Sequence, residues 1–250
     1  MEEKIFLSVI VPAYNEGGRG LGDFLNNISS YLKNQNYTYE IVLINDGSSD
    51  DTLSIAQNFI DKVPHLRVID SQPNLGKGFV IRKGMLESVG QIRLFTDADN
   101  STSLDHFEKM KPLFDQGFDV VIASRNPKDA AGAKQAHEQS FIRRLMGIAG
   151  NLLIQVVAVF GIWDTQCGFK AFTEKAAKDI FSMATIDRWG FDIEILAIAK
   201  HLKFKIGKIA AYWVDREGSH VSFRAYLKVF LDTFKVRWNL IKGMYNKQSR

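Results

Sequence analysis

An α/β fold, a mostly parallel sheet flanked by helices, is predicted by three features of the sequence. Nearly continuous apolar runs recur through the first half, as strands buried on both faces require. Helix-like stretches alternate with them, the βαβα rhythm of a parallel sheet. Each apolar run ends in polar residues of ligand-binding type, and ligands in such sheets bind beyond the carboxyl ends of the strands.

The strand-like runs are Ile5–Val11, Glu40–Ile44, Leu66–Ile69, Ile92–Phe95 and Val120–Ala123. Helix-like stretches lie near Leu21–Tyr31, Asp51–Asp61, Lys77–Ser88 and Leu104–Phe114, several opened by capping residues such as Ser48–Ser49 and Ser101–Ser103. In the second half, Gln139–Val159, Ala176–Met183 and Phe191–His201 read as helices. Asp164–Phe172 reads as a loop into a strand or turn, and Phe204–Val214 as a strand. Ser222–Tyr245 reads as a long basic amphipathic helix.

Composition narrows the classes. The chain has 250 residues, 46% of them hydrophobic and 24% charged, enough for one decorated α/β domain with a sizeable core. A net charge of +4 (32 basic against 28 acidic residues) is too mild to indicate a nucleic-acid partner. One cysteine, Cys167, permits no internal disulfide and fits a reducing, cytoplasmic setting. The N-terminal residues carry no signal pattern, and no stretch reaches the ~18 apolar residues of a membrane span. The strongest apolar run, Leu152–Trp163, is interrupted by Gln155 and Gly161, and suits a buried helix or a membrane interface.

The strand ends carry the chemistry. Asp97-Ala98-Asp99 puts two carboxylates where both can reach one hard cation, magnesium or manganese, with phosphate and water completing its shell. Two solvated acids capping the next helix are the plain alternative. Pro12-Ala13-Tyr14-Asn15-Glu16 supplies a tight turn, an aromatic face and an acid, suited to a stacked base and a ribose; a loop capped by Asn15 is the alternative. Asp46 in Asn45-Asp46-Gly47-Ser48-Ser49-Asp50 could face a base or ribose, or simply belong to a capped turn. Asn74-Leu75-Gly76-Lys77-Gly78 brings backbone and Lys77 to a helix start where phosphate binds, although it lacks the ending of a Walker motif. The five histidines share no metal-site spacing.

Order and spacing make the combination specific: Ser8-Val9-Ile10-Val11-Pro12-Ala13-Tyr14-Asn15-Glu16, Asn45 to Asp50 and Asp97-Ala98-Asp99 together resemble the family 2 glycosyltransferases of the GT-A fold. Asp164 to Phe172 and Arg188-Trp189-Gly190-Phe191-Asp192-Ile193-Glu194 resemble their dolichyl-phosphate β-glucosyltransferase branch, with dolichyl-phosphate mannose synthases more distant. The resemblance implies a GT-A catalytic domain over residues 1–220, with a nucleotide-binding half (1–125), an acceptor half (126–220) and a terminal helix (221–250). It implies that Pro12, Ala13, Tyr14 and Glu16 hold base and ribose of a nucleotide-sugar donor, that Asp46 and Lys77 contact the nucleotide, and that Asp97 and Asp99 bind a divalent metal on the diphosphate. Ser101 falls where a third metal ligand can stand. Arg125 and one of Arg143 and Arg144 fall near the donor and acceptor phosphates. Asp192 and Glu194 sit around an aromatic, and could be structural or could orient sugar or acceptor.

A polyprenyl-phosphate acceptor fits this residue set, because a phosphomonoester has a second pKa near ~6 and needs no side-chain base. A saccharide hydroxyl would need one, and Asp192 is then the first candidate. Arg143 and Arg144 stand two to three helical turns before Leu152–Trp163, so a lipid tail could follow that segment. The terminal helix interleaves Arg224, Lys228, Lys235, Arg237, Lys242 and Lys247 with Phe223, Phe230, Phe234 and Trp238, as an anionic membrane surface favours; a docked helix with one solvated face is the alternative. A nucleotidyltransferase would place a Gly-rich basic loop where Pro12 to Glu16 stands. A sugar- or lipid-binding module would have no use for the paired acids.

Overall fold

A computed structural model describes residues 4–135, 150–213 and 223–246. Seven strands form one sheet in the order β3-β2-β1-β4-β7-β5-β8, from β1 (Leu7–Ala13), β2 (Tyr39–Asn45), β3 (Leu66–Asp70), β4 (Ile92–Thr96), β5 (Val120–Ser124), β7 (Phe169–Thr173) and β8 (Ile206–Ala210). The pairs β1–β2, β2–β3, β1–β4 and β5–β8 are parallel. β7 alone runs antiparallel, between β4 and β5. β6 (Lys134–Gln135) and β9 (Tyr212–Trp213) make a separate short pair.

The apolar runs are continuous because the sheet is covered on both faces. Alternate residues of β1 serve opposite layers: Val9 and Val11 pack with α1 (Leu21–Lys33) and α4 (Phe107–Asp115), through Phe24, Ile28 and Phe107. Ile10 instead joins Val42, Val80 and Ile81 under α3 (Lys77–Glu87), in a layer shared with α6 (Glu174–Phe181) and α7 (Phe191–His201). α7 is buried along Phe191–Ala199, sandwiched by α6 and by α8 (Phe223–Ile241), whose Val236 is enclosed. Tyr245, beyond α8, donates to Glu194 Oε1 at 2.7 Å and ties the C-terminal turn to α7.

Several boundaries differ from the sequence reading. β1 continues through Pro12 and Ala13, which were expected in a turn. Pairing with β4 ends at Ile10–Phe95, and Ala13 O bonds toward β2, so the missing N–H of Pro12 falls on a side with no ladder left to break. α2 is only Thr52–Asn58, a 3-10 turn (Leu104–His106) precedes α4, and Phe204–Val214 divides at Ala211 into β8 and β9. The helix expected over Gln139–Val159 is described only as α5, residues 150–157. Among the described residues no helix is long and apolar enough to cross a membrane.

Candidate active site

One edge of the sheet gathers the chemistry. The parallel strands present their carboxyl ends there, and antiparallel β7 presents its start, since Thr96 pairs with Phe169. β1 lies between β2 and β4, so chain connections diverge on either side of it and leave a crevice at its end.

The first two motifs brace each other. Asn15 takes a left-handed turn (φ 53°), and its Oδ1 accepts from Ser49 N at 2.9 Å while its own N–H donates to Ser48 Oγ at 3.0 Å. Glu16 N donates to Thr52 Oγ1 at 2.8 Å and Gly17 N to Asp50 Oδ2 at 3.1 Å. Tyr14 is left with its ring about half exposed at the crevice, the aromatic face a base requires. Asp46 is nearly enclosed: its carboxylate accepts from the N–H groups of Leu75 (2.9 Å) and Gly76 (3.0 Å) and from Asn74 Nδ2 (2.9 Å). Burial pushes this carboxyl up, against those amides. Asp46 therefore shapes the loop that delivers Lys77.

Past β4, Asp99 Oδ1 accepts from Ser101 N at 2.9 Å, and Lys77 Nζ stands 2.5 Å from Asp97 Oδ1. Burial pulls the Lys77 ammonium down, but Asp97, Asp192 and Asp99 outweigh it and its pKa stands above the ordinary value. Glu16 closes the acidic group. Burial first, then Asp99 and Asp97, push its carboxyl up to about 7 although Arg19 opposes them. Gly168 lies so close that a Cβ there would stand 2.1 Å from Asp97 Oδ2. Ser101 Oγ is buried with no hydrogen-bond partner. Carboxylates crowded together, with an orphaned hydroxyl nearby, fit a hard divalent cation. Among the described residues no three His, Cys, Asp or Glu side chains form a ready metal cage, so phosphate and water would complete the shell.

Arg125, after β5, is gripped by Asp164. Its backbone N and its Nε donate to Oδ2, and Nη2 donates to Oδ1, each at 2.8 Å. Burial opposes ionisation of Asp164, but the guanidinium outweighs it and holds the carboxyl below its ordinary value. The Trp213 ring lies 5.3 Å from the guanidinium carbon. Asp129 fixes the loop behind, accepting from Asp164 N at 2.8 Å, Ser124 Oγ at 2.9 Å and Lys208 Nζ at 2.9 Å. Burial opposes the Arg125 charge, but Asp164 foremost, with Asp97 adding to it, holds the guanidinium above its ordinary value.

Asp192 was expected beside the acceptor. The structure encloses it at the start of α7, paired with the fully buried ammonium of Lys170, which also donates to Cys167 O at 2.7 Å. Burial pushes the Asp192 carboxyl up against the pull of Lys170 and Lys77. Arg143 and Arg144 lie outside the described residues. No local pattern marks Asp164, Lys170, Gly168 or Trp189, whose half-exposed ring lies 6.0 Å from Lys77 Nζ. All four stand in the two stretches that carried the resemblance. Asp129 had no signal, since its partners are scattered along the chain.

Residues 8–181 match the model of the family described as Glycosyl transferase family 2. The dolichyl-phosphate beta-glucosyltransferase of Dictyostelium discoideum is 33% identical, with 99% of this chain and 78% of that one covered. The Homo sapiens protein of the same name is 35% identical, with 96% and 77% covered. Among solved structures, glucosyl-3-phosphoglycerate synthase from Mycobacterium tuberculosis, in complex with Mn2+, uridine diphosphate and glucosyl-3-phosphoglycerate, superposes with a TM-score of 0.65 at 17% identity. That match covers 94% of this chain and 80% of that one, and the likeness is one of fold.

Proposed function

The chain belongs to glycosyl transferase family 2, and from that premise we propose that it moves glucose from UDP-glucose to a polyprenyl phosphate of the dolichyl type, inverting the anomeric carbon. The observation that carries the choice of acceptor is the state of the acids. Asp46 is held by amides, Asp164 by Arg125 and Asp192 by Lys170. Asp192, the first candidate for a base toward a sugar hydroxyl, is thereby occupied. A phosphate acceptor needs none, being already ionised near neutral pH. The names of the relatives point the same way.

In this reading Tyr14 stacks on the base, with Pro12, Ala13 and Glu16 lining the nucleotide site. Asp97 and Asp99 hold a divalent metal, Mg2+ or Mn2+, which when bound neutralises charge on the leaving diphosphate. Lys77 adds a cation at the same place, and Arg125, kept rigid by Asp164, faces the phosphates with Arg143 or Arg144. An acceptor phosphate oxygen forms the new bond to the anomeric carbon as the bond to the diphosphate oxygen breaks. UDP leaves, and an α-linked donor gives a β-linked product. Positioning of two anions in line supplies much of the rate. Calorimetry should find UDP bound at least about tenfold more tightly than GDP, a difference of ~1.4 kcal/mol. Mass analysis should find a hexosyl polyprenyl phosphate. A clear preference for GDP would overturn the donor assignment.

The acceptor is a lipid, and we place the enzyme peripherally on the cytoplasmic face of a membrane. Val156 and Phe160 are 77% and 78% exposed, and α8 exposes Leu227, Leu231, Phe234, Trp238 and Ile241 along one stripe. Phe160 and the turn after α8 both reach the C-terminal end of α7: Lys200 Nζ donates to Phe160 O, and His201 Nε2 lies 2.8 Å from Asn246 Oδ1. Val156→Glu with Phe160→Glu should release the protein from anionic vesicles with little change in Tm, because neither side chain is core. Neutralising Arg143 and Arg144 should weaken use of polyprenyl phosphate far more than binding of UDP. A wild-type protein that fails to sediment with vesicles yet glucosylates a water-soluble sugar efficiently would remove the lipid acceptor.

A further inference from the structure

Behind the loop in which Leu75 and Gly76 hold Asp46, α8 and the segment before α7 border an open cleft of about 210 Å³, lined by Leu75, Asp187, Arg188, Lys228, Asp232 and Lys235 among others. Lys228, Asp232 and Lys235 recur at i, i+4 and i+7 and so share one face of α8. Asp232 is only 9% exposed, and its Oδ2 is buried with no hydrogen-bond partner. Gly190 makes room for it, since a Cβ there would lie 2.5 Å from that oxygen. Lys228, Lys235 and Arg188 make no salt bridge among the described residues, whereas Asp187 is already answered by Arg82 at 2.7 Å. Lys228 and Lys235 flank Asp232 without an ion pair to it, Arg188 also acts on Asp46, and Asp232 Oδ2 lacks a hydrogen-bond donor.

That pattern suits a phosphate with a hydroxyl on the neighbouring group. The cations take the phosphate and the carboxylate accepts from the hydroxyl. At about 210 Å³ the space is smaller than sites for drug-sized ligands and suits a small headgroup. The position along α8 selects the source. Leu227, Leu231 and Phe234, all exposed, each precede a cavity residue by one position, so the apolar stripe runs beside the cavity. We propose that this cavity binds the phosphate and adjoining hydroxyl of an anionic phospholipid headgroup, fixing α8 at the bilayer surface. The inference rests on the interfacial reading of α8 given above.

Vesicles of phosphatidylcholine alone, with phosphatidylglycerol, or with phosphatidylmethanol at equal mole fraction separate the two ideas, because the anionic lipids differ in headgroup hydroxyls. Wild type should prefer phosphatidylglycerol over phosphatidylmethanol by about tenfold, the effect of a hydrogen bond to a charged group. Lys228→Gln with Lys235→Gln should abolish that preference. Arg237→Gln with Lys242→Gln, an equal charge change outside the cavity lining, should weaken binding to both anionic vesicles alike and keep the preference. Equal binding of wild type to both anionic vesicles, or equal loss of preference in both pairs, overturns the cavity assignment. Soluble glycerol 3-phosphate competing as strongly as the same concentration of phosphatidylglycerol overturns the lipid source. Failure of wild type to bind any vesicle instead removes the interfacial reading on which the inference stands.

Discussion

Asp99→Ala is expected to reduce glucosyl transfer by at least about 10²–10³-fold, the usual cost of losing a major electrostatic stabiliser of the departing group. The same variant should keep its Tm within a few degrees. Asp99 is partly exposed, and its one described hydrogen bond is local, to Ser101 N. Asp97→Ala should lose as much activity for an additional reason, because it also frees Lys77 from its 2.5 Å partner. Metal removal from the wild type should reproduce the loss, and Mn2+ or Mg2+ should restore it. Paramagnetic detection of bound Mn2+ supplies a readout independent of turnover: either variant should bind it more weakly. Full activity of the wild type in excess chelator would sink the metal assignment, and unchanged Mn2+ binding in both variants would move it away from this pair.

The fold was legible because its signal is local. Val9 and Val11 face one layer and Ile10 the other, so a strand buried on both faces writes itself as an unbroken apolar run. The direction of β7 was not legible, because parallel or antiparallel entry between β4 and β5 depends on where the chain returns. Pairing of Arg93 with Phe172 and of Leu94 with Ala171 is a property of the assembled sheet. The site divides in the same way. Asp97 and Asp99 are read as edge carboxylates from their place at a strand end, and they stand beyond β4. Asp46 is read the same way, but the amides of Leu75 and Gly76 that occupy it lie about thirty residues further on and leave no trace in its own motif. Asp192 read as an acid available to an acceptor because nothing near it in sequence discloses that Lys170 is its partner. What a motif announces is the type of group at an edge. Which of those groups remain free is decided by partners distant in sequence.

The Arg125–Asp164 pair, 39 residues apart, is such a partnership, and it carries the second large expected effect. Asp164→Ala should destabilise the protein by about 3 kcal/mol, the low end for breaking a buried pair, because Arg125 keeps some contact with solvent. At ~2–4 °C per kcal/mol for a chain of this size, Tm should fall by about 6–12 °C. Transfer should fall as well, since a guanidinium released from its bidentate grip no longer presents a fixed charge to the phosphates. Arg125→Lys should also lose transfer, because an ammonium cannot span both carboxylate oxygens and the site together. The pH dependence has a definite sign. Asp164 ionises more readily folded than unfolded, so its contribution is present above the unfolded value of ~3.9 and is lost as pH falls through the lower folded value. Wild type should therefore lose part of its stability below about pH 4, and Asp164→Asn should lose less over the same interval. The double change Arg125→Met with Asp164→Leu separates stability from chemistry. Apolar groups of similar size can replace a buried pair at little cost, so Tm should largely recover while transfer stays low. Recovery of transfer along with Tm would show Arg125 to be scaffold alone, and an Asp164→Ala protein with wild-type Tm and activity would remove the pair from the mechanism.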